Sequence, residues 1–474
     1  MILALLVSLL IPVVIGYCLV CLIWPERLPG YRLIKCCLAI GVGYGLTSCV
    51  FFLLTLAGLS SLVLFVLETV VAVVLGVAFL FSTRRDLRVT SREAERPSST
   101  LERVLRAAFL VALALALTAF ILLSLRNPHG GDADNWDSWA QWNLRARVMY
   151  RLGANWPAGF SFQQGSQYTP HPDYPLLLPV SVARCWTYAG SETTIVPSVL
   201  ALLFTFAIVG LVYSSLGAMR GCVQGSLGSL ALLGLPVFVE IGSWQYADVP
   251  LALFILMTLV LFCFQDRLSH GHNGLLMLAG VSTGLATWTK NEGWLFLIAV
   301  VVARWVAVGT VGWRIYLRQM LRYSIGLLPV LAVTVFFKLH FAAQNDLVSD
   351  VGLTSMFGHL LDPSRYFLII RISAHQVFNS TGWIASPWVL VPYAFILGVA
   401  RKEEDQRGIR TLAVSLVILL VGYFSVYVVT PLELDWHLRT SVVRLLIHLW
   451  PSFVFTYFLV VKGVGGPDPK AKSW

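Results

Sequence analysis

A chain of 474 residues that is 57% hydrophobic, 12% charged and of mean hydropathy +0.77 is excluded from the ordinary soluble globular class. Its net charge of +10 sits largely in short basic segments between apolar runs, so no nucleic-acid partner is needed to account for it. Of the eight cysteines only Cys185 falls in the large outer segment, which speaks against an intramolecular disulfide in the outer loops.

Apolar runs of roughly 17–25 residues, the length a helix needs to cross a bilayer, recur about thirteen times. They centre near Val13, Tyr44, Val71, Ala114, Phe204, Leu232, Met257, Leu285, Ala299, Val333, Val391, Leu419 and Val454. The expected fold is therefore an all-α polytopic membrane protein. If the first helix starts outside, most of the 34 Lys and Arg fall on inner segments, among them Arg27, Arg32 and Lys35, the run from Arg84 to Arg106, and Arg314, Arg318 and Arg322. The positive-inside rule then puts the amino terminus outside and the carboxy terminus in the cytoplasm. The first run lacks a positive leader and is followed by Trp24-Pro25-Glu26, which reads as a retained helix. The expected organisation is a three-span extension over 1–82 and a basic cytoplasmic linker over 83–104. A transmembrane module over 105–461 follows, with outer loops 126–193 and 341–383, then a cytoplasmic tail over 462–474.

Acids and histidines are distributed the other way, with more than half of the 24 Asp and Glu on the outer side. Of the acids, only Glu68 sits inside a span away from its ends, where an ionisable group is a functional candidate. A structural role, by snorkelling or by pairing with another helix, is the weightier reading for it. The scarcity of such residues speaks against a proton-coupled transporter, which needs relays at mid-membrane.

After the fourth span comes GGDADNWDSWAQWNLRARVMYR, residues 130–151. On a helix of period 3.6, Trp139, Trp142, Ala146, Met149 and Tyr150 share one arc, suited to lying on the bilayer surface, while Asp134, Asp137, Gln141 and Arg145 fall opposite. Gly130-Gly131 supplies the turn out of the span, and Asp134 is placed to cap the helix. Capping does not explain three acids beside a run of arginines. Asp132-x-Asp134 could also hold a divalent metal or a sugar, although a lone pair of this kind is a weak signal. Downstream, the prolines of His171-Pro172-Asp173-Tyr174-Pro175-Leu176-Leu177-Leu178-Pro179 keep the backbone extended until the chain re-enters the membrane.

Together these residues resemble the first outer loop of the membrane-embedded GT-C glycosyltransferases. The closest branch is that of the protein O-mannosyltransferases and aminoarabinose transferases, with their bacterial relatives. Asp137 in Trp136-Asp137-Ser138-Trp139-Ala140 is the best-matching acid. Further patches agree: WQYADVPLALFILM, where Asp248 opens a helix; AGVSTGLATWTKNEGWLFL, a Gly-rich span ending in Thr289-Lys290; and LDWHLRTSVVRLLIHLWP, where Arg439 precedes a span. The resemblance covers patches between Leu105 and Pro451. Ser138 stands where the family often has a second acid, and Asp173 interrupts its usual Pro-Pro, which leaves the catalytic acid open among Asp132, Asp134 and Asp137.

The resemblance implies transfer of a sugar from a polyprenyl-phosphate lipid to a glycan, lipid or protein acceptor at the outer face of a bacterial inner membrane, with inversion at the sugar. A carboxylate takes the acceptor proton, and cations stabilise the leaving phosphate. Asp137 is the expected base and Asp134 its alternate; Lys290 and then Arg439 are the expected phosphate ligands. Lys290 could otherwise be an interface lysine reaching lipid headgroups. His171, Asp173, Asp248 and Glu292 are candidates for substrate binding, although Asp248 could simply cap its helix and Glu292 could be only the salt-bridge partner of Lys290. His437 fits an aromatic interface better than an acceptor site. The resemblance fixes no cofactor; a divalent metal is possible and, if used, would fall to Asp132 and Asp134. The alternative from another class is a multi-span transporter or lipid flippase, which would place polar groups along a mid-membrane path instead of at outer helix ends.

Overall fold

Inside hydrocarbon a backbone must satisfy its own polar groups, and a helix does so within one segment. The computed structural model describes residues 2–25, 31–86, 99–131, 136–159, 171, 173–268, 271–309, 312–343, 353–379, 386–400 and 405–463. Among these residues the regular structure is helical, apart from an isolated bridge between Val399 and Val461.

The chain opens with α1 (Ile2–Ile23), α2 (Arg32–Leu56), α3 (Ser61–Asp86) and α4 (Thr100–Arg126). A π-helical turn (Ser138–Trp142) then leads into α5 (Asn143–Leu152), followed by α6 (Trp156–Gly159), α7 (Leu177–Ala189), α8 (Ile195–Arg220), α9 (Cys222–Leu233) and α10 (Pro236–Ser243). Next come α11 (Asp248–Arg267), α12 (Asn273–Thr289), α13 (Glu292–Arg304) with its π-helical continuation to Gly309, and α14 (Trp313–His340). The last elements are α15 (Leu353–Leu360), α16 (Pro363–Asn379), α17 (Pro387–Leu397), α18 (Gln406–Val429) and α19 (Leu434–Val460).

Among the described residues ten helices are long and apolar enough to cross a membrane, which makes this an integral membrane protein. They coincide with all the expected centres except Leu232, Leu285 and Val391. Around Leu232 the chain forms α9 and α10, bent by 66°. The break has a local cause, since Leu235 is held extended ahead of Pro236, the first residue of α10. Counting that pair as one broken span gives eleven. Leu285 lies in α12, only 17 residues long because Lys290 leaves the helix in an extended conformation. Val391 lies in α17, with 11 residues.

The shorter elements nevertheless carry the chain between the two ends of the bundle. Gln245, just before α11, donates to Ser198 near the start of α8 (3.1 Å), while Gln224 near the start of α9 donates to the Val461 carbonyl beyond α19 (2.9 Å). The path through α9 and α10 therefore runs from the far end back to the end where α11 begins.

α11 is the axis of the packing: its whole apolar window is buried. Lipid tails are as apolar as leucine, so helix association in a bilayer relies on close packing and on polar contacts. Both occur here. A Cβ added to Gly326 in α14 would lie 1.9 Å from the Met277 carbonyl oxygen of α12, so only glycine permits this approach. At the carboxy-terminal end of α11, Arg267 pairs with Asp405 (2.6 Å), and Asp266 pairs with Arg304 of α13 (2.6 Å), whose guanidinium also reaches Thr411 and Gln319.

The first three helices are packed into the same body. Trp288 in α12 donates to Ser48 in α2 (3.1 Å). Glu68 is buried in α3, and its carboxylate accepts from Arg184 of α7 and from the Tyr188 hydroxyl (2.9 Å); Arg184 also donates to the Ser8 carbonyl of α1 (2.8 Å). The intramembrane acid is thus matched by an arginine that lies 116 positions away in sequence.

Removing one member of a buried ion pair strands the other, at a cost of about 3–5 kcal/mol, whereas replacing both with apolar residues is often neutral. Arg184→Leu is therefore expected to lower the unfolding midpoint of the detergent-solubilised protein markedly, and Glu68→Leu combined with Arg184→Leu to recover much of the loss. A midpoint for Arg184→Leu equal to that of wild type would remove this pair from the constraints on the fold.

Candidate functional site at the start of α11

Asp248 is the first residue of α11, yet it serves as more than a cap: no side-chain cap bond forms, and its carboxylate is fully buried among cations. Lys290, extended between α12 and α13, approaches Asp248 Oδ1 at 3.1 Å and Glu292 Oε1 at 3.0 Å. From α19, Arg444 reaches Asp248 Oδ2 at 3.2 Å, and His448 Nε2 lies 2.8 Å from Oδ1. Arg444 and His448 are four apart and so share one helix face. His448 Nδ1 is 3.1 Å from the Tyr423 hydroxyl of α18, so an imidazole protonated at Nε2 satisfies both neighbours.

Arg444 also binds Asp137 Oδ2 at 2.7 Å, and its guanidinium lies over the Tyr246 ring at 4.6 Å. This joins the loop after α4 to the span ends. Gly130 and Gly131, both at positive φ, turn the chain out of α4, and the Ser138 hydroxyl donates back to the Gly130 carbonyl (2.6 Å). The side chains of Asp137 and Arg444 are 19% and 21% exposed, against 1% for Asp248 and 4% for Lys290. Asp137, Arg444 and Glu292 are thus partly open, while Asp248 and Lys290 are sealed.

The HPDYP loop forms part of the seal. Tyr174 is half-buried, with its ring 5.6 Å from the Lys290 ammonium. Asp173 accepts from Asn291 Nδ2 (2.6 Å), Lys338 of α14 donates to Asn291 Oδ1 (2.6 Å) and to the Asp173 carbonyl, and Arg145 donates to the Tyr174 carbonyl (2.9 Å) and to that of His171. His171 itself is held at φ 48°, a left-handed conformation uncommon for a side-chain-bearing residue. Burial lowers the Arg145 guanidinium to about 10, with Asp173 and Tyr174 acting the other way. Burial likewise opposes the charge on Lys290, but Asp248 and Glu292 outweigh it and hold the ammonium above the ordinary lysine range.

The structure thus brings together Asp137, Asp173, Asp248, Lys290 and Glu292 from the residues singled out in the sequence. His171 joins through its carbonyl, with its ring edge-on to Tyr174. Arg439 goes elsewhere: it is 67% exposed and pairs with Asp435 (2.6 Å) one turn before it. His437 packs against the Tyr427 ring and bonds the Thr430 hydroxyl. Asp132 and Asp134 lie outside the described residues. Among the described residues, no group of three His, Cys, Asp or Glu is arranged to hold a metal ion.

The expected interfacial stripe is turned inward. Trp142, Ala146 and Met149 are buried, and Arg145 on the opposite arc is buried as well; Trp139 alone of the tryptophans in the stripe stays exposed. The π-helical turn at Ser138–Trp142 rotates less per residue than an α-helix, which sets Trp139 and Trp142 further apart around the axis.

Sequence reasoning missed Arg444, His448, Asn291 and Lys338. A signal existed for two of them: Arg444 and His448 are ionisable residues one turn apart within a span, each a functional candidate on that ground.

Comparison with protein-family models, curated proteins and solved structures finds no match to this chain.

Asp248 faces Lys290, Arg444 and His448, so neutralising it leaves buried Lys290 and half-buried Arg444 each short of a partner. Asp248→Asn is expected to destabilise the protein by about 3–5 kcal/mol. Asp435→Asn, which breaks an exposed helical pair, should leave the unfolding midpoint near that of wild type. Thermal unfolding followed by size-exclusion profile separates them; equal midpoints for the two variants would contradict the scaffold role of Asp248.

Proposed function

We propose that the chain is a GT-C-type glycosyltransferase that moves a sugar from a polyprenyl-phosphate lipid to an acceptor hydroxyl at the outer membrane face, with the amino terminus outside. The observation that carries this reading is the Asp137–Arg444 pair: a carboxylate and a guanidinium, 2.7 Å apart and both partly exposed, beside the start of α11. A lipid headgroup and an exported acceptor meet at that level.

In this mechanism Asp137 accepts the proton of the acceptor hydroxyl as its oxygen bonds to the anomeric carbon. The bond from that carbon to the phosphate oxygen breaks, and the electron pair leaves with the lipid phosphate. One face of the sugar is attacked as the other is vacated, so the configuration inverts. Arg444 stabilises the growing phosphate charge. Among the described residues Asp137 has a single side-chain hydrogen bond, through Oδ2, which keeps Oδ1 available as base. Lys290 takes a different part from the one its sequence context implied. Covered by Tyr174 and engaged by Asp248 and Glu292, it acts as a positioning residue that fixes Asp248, which in turn orients Arg444.

Turnover of radiolabelled polyprenyl-phosphate sugars in proteoliposomes, with a cell-envelope acceptor, tests the reading. Asp137→Asn is expected to lower transfer by about 10²–10⁴-fold, the usual worth of a general base. Arg444→Lys should lower kcat while preserving the protein level. Full transfer by Asp137→Asn would shift the base to Asp134 or Asp132. Absence of transfer from every donor, with lipid or solute moving across the bilayer, would replace the enzyme with a transporter or flippase.

A further inference from the structure

A second polar site lies apart from the charge network, where α16 packs against the first turns of α19. A cavity of about 300 Å³ opens there, lined by Leu368, Arg371, Ile372 and His375 of α16 and by Asp435 and Arg439 of α19, among others. Arg439 and Arg444 are five residues apart on one helix, about 140° around its axis, so the cavity and the network use different faces of α19.

The cavity's chemistry is that of an anion site. Among the described residues Arg371 makes no hydrogen bond or ion pair, and it lines the same cavity as Asp435. Asp435 takes only the Nε of Arg439 (2.6 Å), which leaves both Nη groups of Arg439 without a hydrogen bond among the described residues. The nearby Glu433 carboxylate is engaged by the backbone N–H groups of Asp435 (3.1 Å) and Trp436 (2.6 Å). Two guanidinium forks, one half-neutralised, thus line the same space, and planar forks suit the tetrahedral oxygens of a phosphate. The positive end of the α19 dipole adds to the attraction. His375 supplies a further ring N–H donor.

The surroundings select which phosphate. Phe367 and Ile370 on α16 are exposed beside the cavity, as are Leu361 before the helix and Phe378 at its end. In an integral membrane protein such an apolar flank is covered by hydrocarbon. A phosphate held by Arg371 and Arg439 would sit with its ester substituent along this flank.

We infer that this cavity binds the phosphate of a membrane lipid, with Arg371 and Arg439 on the phosphate oxygens and the hydrocarbon along Phe367 and Ile370. This assignment stands on the cavity alone and holds whether or not the chain is a transferase.

The test is calorimetric titration of the full chain, in phosphatidylcholine nanodiscs, with dihexanoyl phosphatidic acid and separately with inorganic phosphate. Three variants accompany wild type: Arg371→Gln/Arg439→Gln, the charge-keeping Arg371→Lys/Arg439→Lys, and Arg318→Gln, an exposed arginine far from the cavity in sequence. The lipid is expected to bind wild type and Arg318→Gln alike, to bind the Gln pair about tenfold or more weakly, and to bind the Lys pair in between. Inorganic phosphate should bind far more weakly than the lipid. If the Gln pair does not fold, weakened binding by the Lys pair supports the site in its place. Unchanged lipid affinity in the arginine variants overturns the site, and an equal loss in Arg318→Gln overturns it in favour of diffuse attraction. Inorganic phosphate bound as tightly as the lipid overturns the lipid assignment in favour of a soluble phosphate ester.

Discussion

A carboxylate buried in a low-dielectric interior is tolerable only when cations or donors surround it. Asp248 meets that condition with groups from separate parts of the chain: Lys290 after α12, and Arg444 and His448 on α19. The requirement fixes how three elements stand relative to α11. It also reaches the loop after α4, because the guanidinium that satisfies Asp248 Oδ2 is the one that holds Asp137. Placement of the accessible carboxylate is therefore a consequence of neutralising the inaccessible one.

The same logic recurs elsewhere in the bundle. Arg267 with Asp405 and Arg304 with Asp266 tie the other end of α11 to α13 and to the start of α18. Glu68 with Arg184 ties α3 to α7, the helix that follows the HPDYP loop. Hydrocarbon contacts between helices compete with equivalent contacts to lipid, so they pack the bundle without choosing one arrangement. Paired charges and glycine contacts such as Gly326 against Met277 supply that choice.

Within the site, burial divides labour. Lys290, Asp248 and His448 are sealed beneath Tyr174 and held by mutual bonds, which suits a frame that keeps its geometry. Asp137 and Arg444 face outward from that frame. A reactive pair supported by a rigid, water-excluded shell meets a general requirement of catalytic sites, where misplacement by an ångström is costly. The proposed role of Lys290 follows from this division.

The membrane class and ten of the spans were legible in the sequence because crossing a bilayer demands a length and an apolarity that any window of the chain displays. The same is true of the polar character of the loop after α4 and of the Gly130-Gly131 turn, both of which have local causes. Asp137, Asp248, Lys290 and Glu292 could be singled out because ionisable residues at the ends of apolar runs stand out from their neighbours. What no window shows is partnership. Arg184 answers Glu68 across 116 positions, and Arg444 answers Asp137 across 307. For the same reason Arg439 and Arg444 looked alike along the chain, and only the rotation of α19 sends one to an open cavity and the other into the network. The inward turn of Trp142 depended on one π-helical turn that periodicity at 3.6 does not anticipate. Local chemistry determined which segments enter the membrane and where charge collects; the tertiary structure decided which charges meet, because the cost of an unpaired ion is settled only once the helices have packed.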